Sequence, residues 1–303
     1  MHFYDKARVQ AVLHYDGGGY LSPNSSTSHK ISSKTSEITY QQCKLVCDQY
    51  QDLINLGSAQ PQLDIEIKSC LAVKSLQASC LANFKALEVD GFLGLGPSYT
   101  SSSLLHNMKR AELIEDLHFS FWFNSAHDAR DGGVLTLGGA DPYYYTGRIN
   151  WHYISSNSSL TSQWIINLQF VTLDGKFVSP SCQAIISTGV SDIYGPMEEV
   201  SLIYSLLGVT GPLGRLPSID CKRVHQLPTL TFFIDQVPYP LLPTNYVRRV
   251  DPNDIHSPCY VAVLPSKSPT NLKQWILGSN FLSAYYSVFD MDRYRVGFAS
   301  MRA

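Results

Sequence analysis

Apolar and polar positions alternate in short runs along most of the chain. Residues 36–40 (SEITY), 132–139 (GGVLTLGG), 164–178 (WIINLQFVTLDGKFV), 230–235 (LTFFID) and 285–299 (YYSVFDMDRYRVGFA) all read as β-strands. Inside the third run, VTLDGKFV places Asp-Gly between two alternating segments. That is a hairpin signal, because Asp and Gly tolerate the positive φ of a two-residue turn. The period becomes helical in two places. Residues 102–114 put Leu104, Leu105, Met108 and Ala111 on one stripe; residues 196–207 open with Pro196, close before Gly208 and align Val200, Ile203, Tyr204 and Leu207. The pattern predicts an all-β protein with two helices packed on its sheets.

A faint internal repeat accompanies the strands. VDGFLGLG (89–96) and QWILGSNF (274–281) share an apolar-Leu-Gly core. Each lies downstream of a strand that ends in a glycine turn, LHYDGGG (13–19) and IISTGVS (185–191). A duplicated unit predicts two similar β lobes with a cleft between them, an N-terminal lobe over 1–145 and a C-terminal lobe over 146–303.

Composition narrows the function classes. The chain has 303 residues, 44% hydrophobic and 16% charged, with 18 Tyr and 13 Phe, which suits strands with a large core. A formal net charge of −2 with dispersed basic residues gives no nucleic-acid signature. No apolar run approaches the ~18 residues of a membrane span. The histidines, among them His106, His118 and His152, show no metal-ligand spacing, and no cofactor motif is present; Gly17-Gly18-Gly19 lacks the Gly-Lys-Ser/Thr of a phosphate loop. Seven cysteines, at 43, 47, 70, 80, 182, 221 and 259, leave at least one thiol outside an internal disulfide. The sequons at Asn24 and Asn157 join them in predicting the secretory pathway or an extracellular location, although residues 1–5 do not open a signal peptide.

Taken with the glycine turns, these segments resemble the pepsin family of aspartic endopeptidases. The pieces that carry the likeness are DGFLGLG, GGVLTLGGADPYYYTGRINWHYI, CQAIISTGVSDIYGP, LPTLTFFIDQVPYPLLPTNYV and WILGSNFLSAYYSVFDMDRYRVGFA, and the match runs along nearly the whole chain. The resemblance implies a bilobal fold of two β-barrel-like lobes with an interlobe sheet, a monomer, and an extended peptide or protein bound in the central cleft. Its chemistry uses two aspartates, one per lobe, each in an Asp-Thr/Ser-Gly turn. Two carboxyls ~3 Å apart share one proton. The ionised one takes a proton from water while the other protonates the scissile carbonyl.

The second-lobe motif here is Ser187-Thr188-Gly189, so the aspartate position holds a hydroxyl, and Val190 stands where the family carries a hydroxyl residue. A serine neither bears charge near neutral pH nor stores a proton as a carboxyl does. The first-lobe motif admits two registers. His14 takes the aspartate position without gaps; Asp16, in Asp16-Gly17-Gly18-Gly19, takes it with a short deletion and is the more specific match. The resemblance assigns peptide contacts to Gly18, to Thr188, Gly189, Val190 and Ser191, and to Tyr40 on a flap hairpin whose usual glycines are replaced by Gln41, Cys43 and Cys47. It pairs Cys221 with Cys259 and leaves Cys182 free, since Val178 replaces its partner. Cys43–Cys47 and Cys70–Cys80 are further candidate pairs.

Each site residue also has a plainer reading: Asp16 as a solvated turn aspartate, His14 as a strand histidine, Tyr143-Tyr144-Tyr145 as structure. Ser187 is a poor nucleophile, because a carboxylate facing it would not activate it without histidine. Three functions follow: a pseudoprotease that retains its peptide-binding cleft, a weakly active endopeptidase working through Asp16, or a decayed paralogue.

Overall fold

The computed structural model describes residues 3–4, 26–40, 43–54, 63–71, 93–97, 103–124, 132–156, 163–209, 216–251, 254–266 and 273–302. Strands dominate them, and the chain forms two compact units, Met1–Leu117 and His118–Ala303. His14, Asp16, Gly18, Cys80 and the sequon asparagines Asn24 and Asn157 lie outside the described residues.

In the first unit, β1 (Phe3–Tyr4), β2 (His29–Lys30), β3 (Ser36–Tyr40), β4 (Cys43–Ile54), β5 (Leu63–Leu71) and β6 (Leu93–Gly94) precede a short helix, α1 (Leu104–Arg110). β4 is the centre of an antiparallel sheet, flanked by β2, β3 and β5, while β1 pairs in parallel with β6. β3 and β4 form the expected hairpin, with Tyr40 at its tip opposite Cys43. The helix is shorter than the sequence pattern. Ser103 caps it by accepting from the His106 amide, and it ends at Ala111 because Glu112 takes a left-handed φ of 56°.

The cysteines of this hairpin correct one expectation. Cys43 and Cys47 lie on the same strand, four residues and so ~13 Å apart, whereas a disulfide needs Cα atoms within about 7 Å. The Cys43–Cys47 staple is therefore geometrically closed. Cys47 is fully buried and disulfide-bonded, and its Cα is registered opposite that of Cys70 on β5.

The second unit carries β7 (His118–Phe123), β8 (Gly133–Leu137), β9 (Tyr145–Tyr153), β10 (Trp164–Leu168), β11 (Phe170–Leu173), β12 (Lys176–Ser179), β13 (Cys182–Ile186) and β14 (Ile193–Gly195). The helix α2 (Met197–Leu207) follows, then β15 (Ser218–Ile219), a 3-10 turn (Cys221–Gln226), β16 (Leu230–Ile234), β17 (Val237–Leu241) and α3 (Pro243–Tyr246). The chain closes with β18 (Val247–Arg249), β19 (Cys259–Val261), β20 (Val263–Pro265), β21 (Gln274–Leu277), α4 (Ser279–Leu282), β22 (Tyr285–Asp290) and β23 (Arg295–Met301). β8 pairs with β7 and β7 with β22 in the sheet β8-β7-β22-β23-β9, so β7 and β8 share a sheet with the last two strands of the chain. The Asp174-Gly175 turn joins β11 to β12 at φ of 51° and 73°, as its sequence predicts. Gly208 ends α2 in the left-handed region, φ 64°.

The core of this unit is aromatic. Phe119 stacks on Phe289 at 4.7 Å, Trp164 meets both edge-on, and Phe232 packs on Trp275 and Phe281. Burying each such ring contributes roughly 1.5–3 kcal/mol. Cys221 and Cys259 form the expected disulfide, tying the 3-10 turn to β19.

Candidate functional site

The second-lobe turn grows out of this core. β13 lies between β10, antiparallel, and β21, parallel. Ala184 and Ile186 are fully buried, so the strand cannot shift without opening apolar surface. The parallel register sets Ile186 beside Leu277, and the two strands deliver Ser187 and Gly278 side by side. The Ser187 amide donates to Leu277 O at 3.1 Å, and the residue is 5% exposed.

Residues 188–192 then wrap over Gly278. The Val190 carbonyl accepts from the Ser279 amide at 2.7 Å and the Ser191 carbonyl from the Asn280 amide at 2.9 Å. A Cβ at Gly278 would stand 2.4 Å from the carbonyl oxygens of both Val190 and Asp192, so only glycine permits this approach. Thr188, Gly189 and Val190 are half-buried and Ser191 is exposed. Thus Ser187, Thr188, Gly189, Val190 and Ser191 are brought together on one rigid turn. Tyr40 sits at the β3–β4 tip in the other unit, and His14, Asp16 and Gly18 are outside the described residues.

A polar network at Asp192, the last residue of this segment, escaped the sequence reading. Asp192 is half-buried, and its Oδ1 accepts from the Tyr260 hydroxyl and from Asn280 Nδ2, each at 3.1 Å. Asn280 Oδ1 in turn accepts from Arg248 Nε at 2.7 Å. Burial pushes the Asp192 carboxyl up, against the opposing pull of Tyr260, Arg248 and Asn280. The one available signal was a charged residue inside the otherwise neutral stretch GVSDIYG.

Two further clusters join residues distant in sequence. His152, 1% exposed, places Nδ1 2.8 Å from Asp235 Oδ2 and Nε2 2.6 Å from the Tyr239 hydroxyl. His118, Asp290 and Asp292 bring three potential ligand atoms, one imidazole nitrogen and two carboxylate oxygens, within 4.8 Å of one another, a grouping that the sequence spacing did not show. The chemistry there is that of an ion-pair network. Asp290, fully buried, meets His118 Nε2 at 2.9 Å and Arg295 Nε at 2.7 Å. Burial pushes its carboxyl up, but Arg295, the Arg293 amide and His118 prevail and hold it below the usual range. The two arginines beside it would repel a cation. Cys182 is free and half-buried; burial pushes its thiol up to about 11, against a hydrogen bond from Ser179.

The fold, the strand-end turn and its close-approach glycine can be set beside known proteins. A sequence model described as "Eukaryotic aspartyl protease" matches residues 12–301. The chain belongs to that family. It is 27% identical to pregnancy-associated glycoprotein 1 of Bos taurus over 280 residues, 90% of this chain and 68% of that one. It is 35% identical to pepsin A of Sus scrofa over 217 residues, 69% of this chain and 54% of that one, and 32% identical to renin of Echis ocellatus over 218 residues, 70% and 53% respectively. The chain thus spans about half to two thirds of the length of these relatives. Among the described residues no helix is long and apolar enough to cross a membrane.

Proposed function

We propose that this aspartyl protease family member binds an extended peptide but does not hydrolyse it. The observation that carries the reading is Ser187. It heads a turn that is fully built by the fold, yet it offers a hydroxyl where the family's reaction needs the second titratable carboxyl. With Asp16 as the remaining member, the pair can neither share a proton nor divide the roles of base and acid. Losing one member of a unit that acts together costs many powers of ten in rate. Peptide contacts are assigned to Thr188, Gly189, Val190 and Ser191 on the second-lobe turn and, by the family resemblance alone, to Gly18 and Tyr40. No metal or cofactor enters this reading, and the protein acts as a monomer. The Cys221–Cys259 disulfide and the bonded Cys47 support an oxidising compartment, secretory or extracellular.

The test uses the intact protein with a denatured-protein substrate from pH 2 to 7, and with a labelled statine-containing peptide in a binding assay. Saturable binding without cleavage is expected. Turnover that disappears in Asp16→Ala would establish the weakly active alternative, and a fold that binds no peptide and cleaves none would favour the decayed paralogue.

A further inference from the structure

Asp192 continues the segment that carries the expected peptide contacts, one residue beyond exposed Ser191. Both of its hydrogen bonds from side chains, from Tyr260 and Asn280, land on Oδ1; among the described residues Oδ2 takes none. Arg248 does not fill that vacancy. Its guanidinium is engaged by neutral acceptors, Asn280 Oδ1 at 2.7 Å, Ser283 Oγ at 3.4 Å and Thr244 O at 3.5 Å, with the Asn280 amide between it and Asp192. Arg248 therefore tempers the charge of Asp192 without pairing with it. A half-buried carboxylate with one open oxygen is costly, and a charge-assisted hydrogen bond from an incoming cation offsets that cost.

We propose that Asp192, held by Tyr260 and Asn280, forms a subsite for a basic side chain of a peptide laid along residues 188–191. This rests on the peptide-binding reading above. Arg248 limits the size of the preference, and an acidic side chain is disfavoured at the same position.

The test is a positional series of labelled octapeptides in which each position in turn carries lysine, acetyl-lysine, norleucine or glutamate, measured by fluorescence anisotropy against the intact protein. At one position lysine is expected to bind at least tenfold tighter than acetyl-lysine and norleucine, with the ratio shrinking as salt is raised. In Asp192→Asn that lysine-to-norleucine ratio is expected to fall below twofold. The acetyl-lysine comparison reads the charge in the wild type and holds whether or not the variant folds. Equal binding of lysine and norleucine at every position, with norleucine peptides still bound, overturns the subsite and leaves peptide binding standing. A ratio that survives Asp192→Asn in a folded variant also overturns it. Absence of binding across all series overturns both.

Discussion

His152 makes the stability of the C-terminal unit depend on acid. The Asp235 carboxylate can only accept, so Nδ1 carries the ring hydrogen and Nε2 accepts from the Tyr239 hydroxyl. Tyr239 is itself 2% exposed; Asn150 and Tyr285 are the other polar groups that act on it. Burial holds the imidazole below its ordinary value, with Asp235 pulling partly back. In the unfolded chain the ring takes its proton near pH 6.5, roughly the ordinary histidine value. Between that pH and the depressed folded value the unfolded state binds the additional proton. Stability therefore falls on acidification, by up to about 1.4 kcal/mol per pH unit, and levels off once the folded ring also protonates.

The perturbation is His152→Phe, which keeps an aromatic ring but removes both hydrogen bonds and the titration. It leaves the Tyr239 hydroxyl without its acceptor, a cost of about 1–3 kcal/mol at pH 7.5. The assay is urea unfolding of wild type and variant at pH 7.5 and pH 5.0. Asp192 and Asp290 titrate in both proteins and cancel in the difference. The wild-type advantage is expected to shrink at the lower pH, since only the wild type carries the proton-linked loss. An advantage of equal size at both pH values would refute the reasoning. The outcome also bears on hydrolysis assays in acid, where a lost unit and a missing carboxyl would both read as inactivity.

Three other outcomes are expected. Gly278→Ala drives a Cβ against two backbone carbonyls, and overpacking of this kind costs about 1–3 kcal/mol or more; thermal unfolding should show a fall of several degrees, and an unchanged midpoint would contradict the close approach. Cys182, its thiol pushed up to about 11, should react with iodoacetamide at pH 8 on the order of a hundredfold more slowly than an ordinary thiol, as read by mass spectrometry of the native protein. Non-reducing peptide mapping should join Cys47 to Cys70, its registered neighbour, and a Cys47–Cys80 linkage would show that pairing does not follow the β4–β5 ladder.

The strands and the turn were legible because their signals are local. Alternation marked residues 36–40 and 230–235, Asp-Gly marked the β11–β12 turn, and Pro196 with Gly208 bounded α2 almost to the residue. The stripe over 102–114 overran because side-chain periodicity carries no information about backbone φ, and Glu112 leaves the helical region. Polar networks were not legible. His118 faces Asp290 only because β7 and β22 pair in that register, and Asp192 meets Asn280 only because β13 and β21 run in parallel. Buried polar pairing is a property of strand order, and strand order was visible only as a faint repeat.

The persistence of the turn is therefore weak evidence of catalysis, and its identity at one side chain is strong evidence about chemistry. The Leu277 carbonyl, Gly278, the Ser279 amide and hydroxyl and the Asn280 amide hold residues 187–191 at their backbone atoms, without a contact to the side chain of residue 187. Those contacts are indifferent to whether residue 187 is serine or aspartate, so the fold keeps the mount under either residue. Replacing Ser187 by aspartate asks the fold for nothing new in the backbone, but it returns a carboxyl to a position that is 5% exposed, where charge is expensive unless shared with a neighbour. If Asp16 is that neighbour, Ser187→Asp should create acid-dependent turnover that Asp16→Ala abolishes. If His14 holds the first-lobe position instead, the restored carboxyl would meet an imidazole, and no turnover dependent on Asp16 would appear.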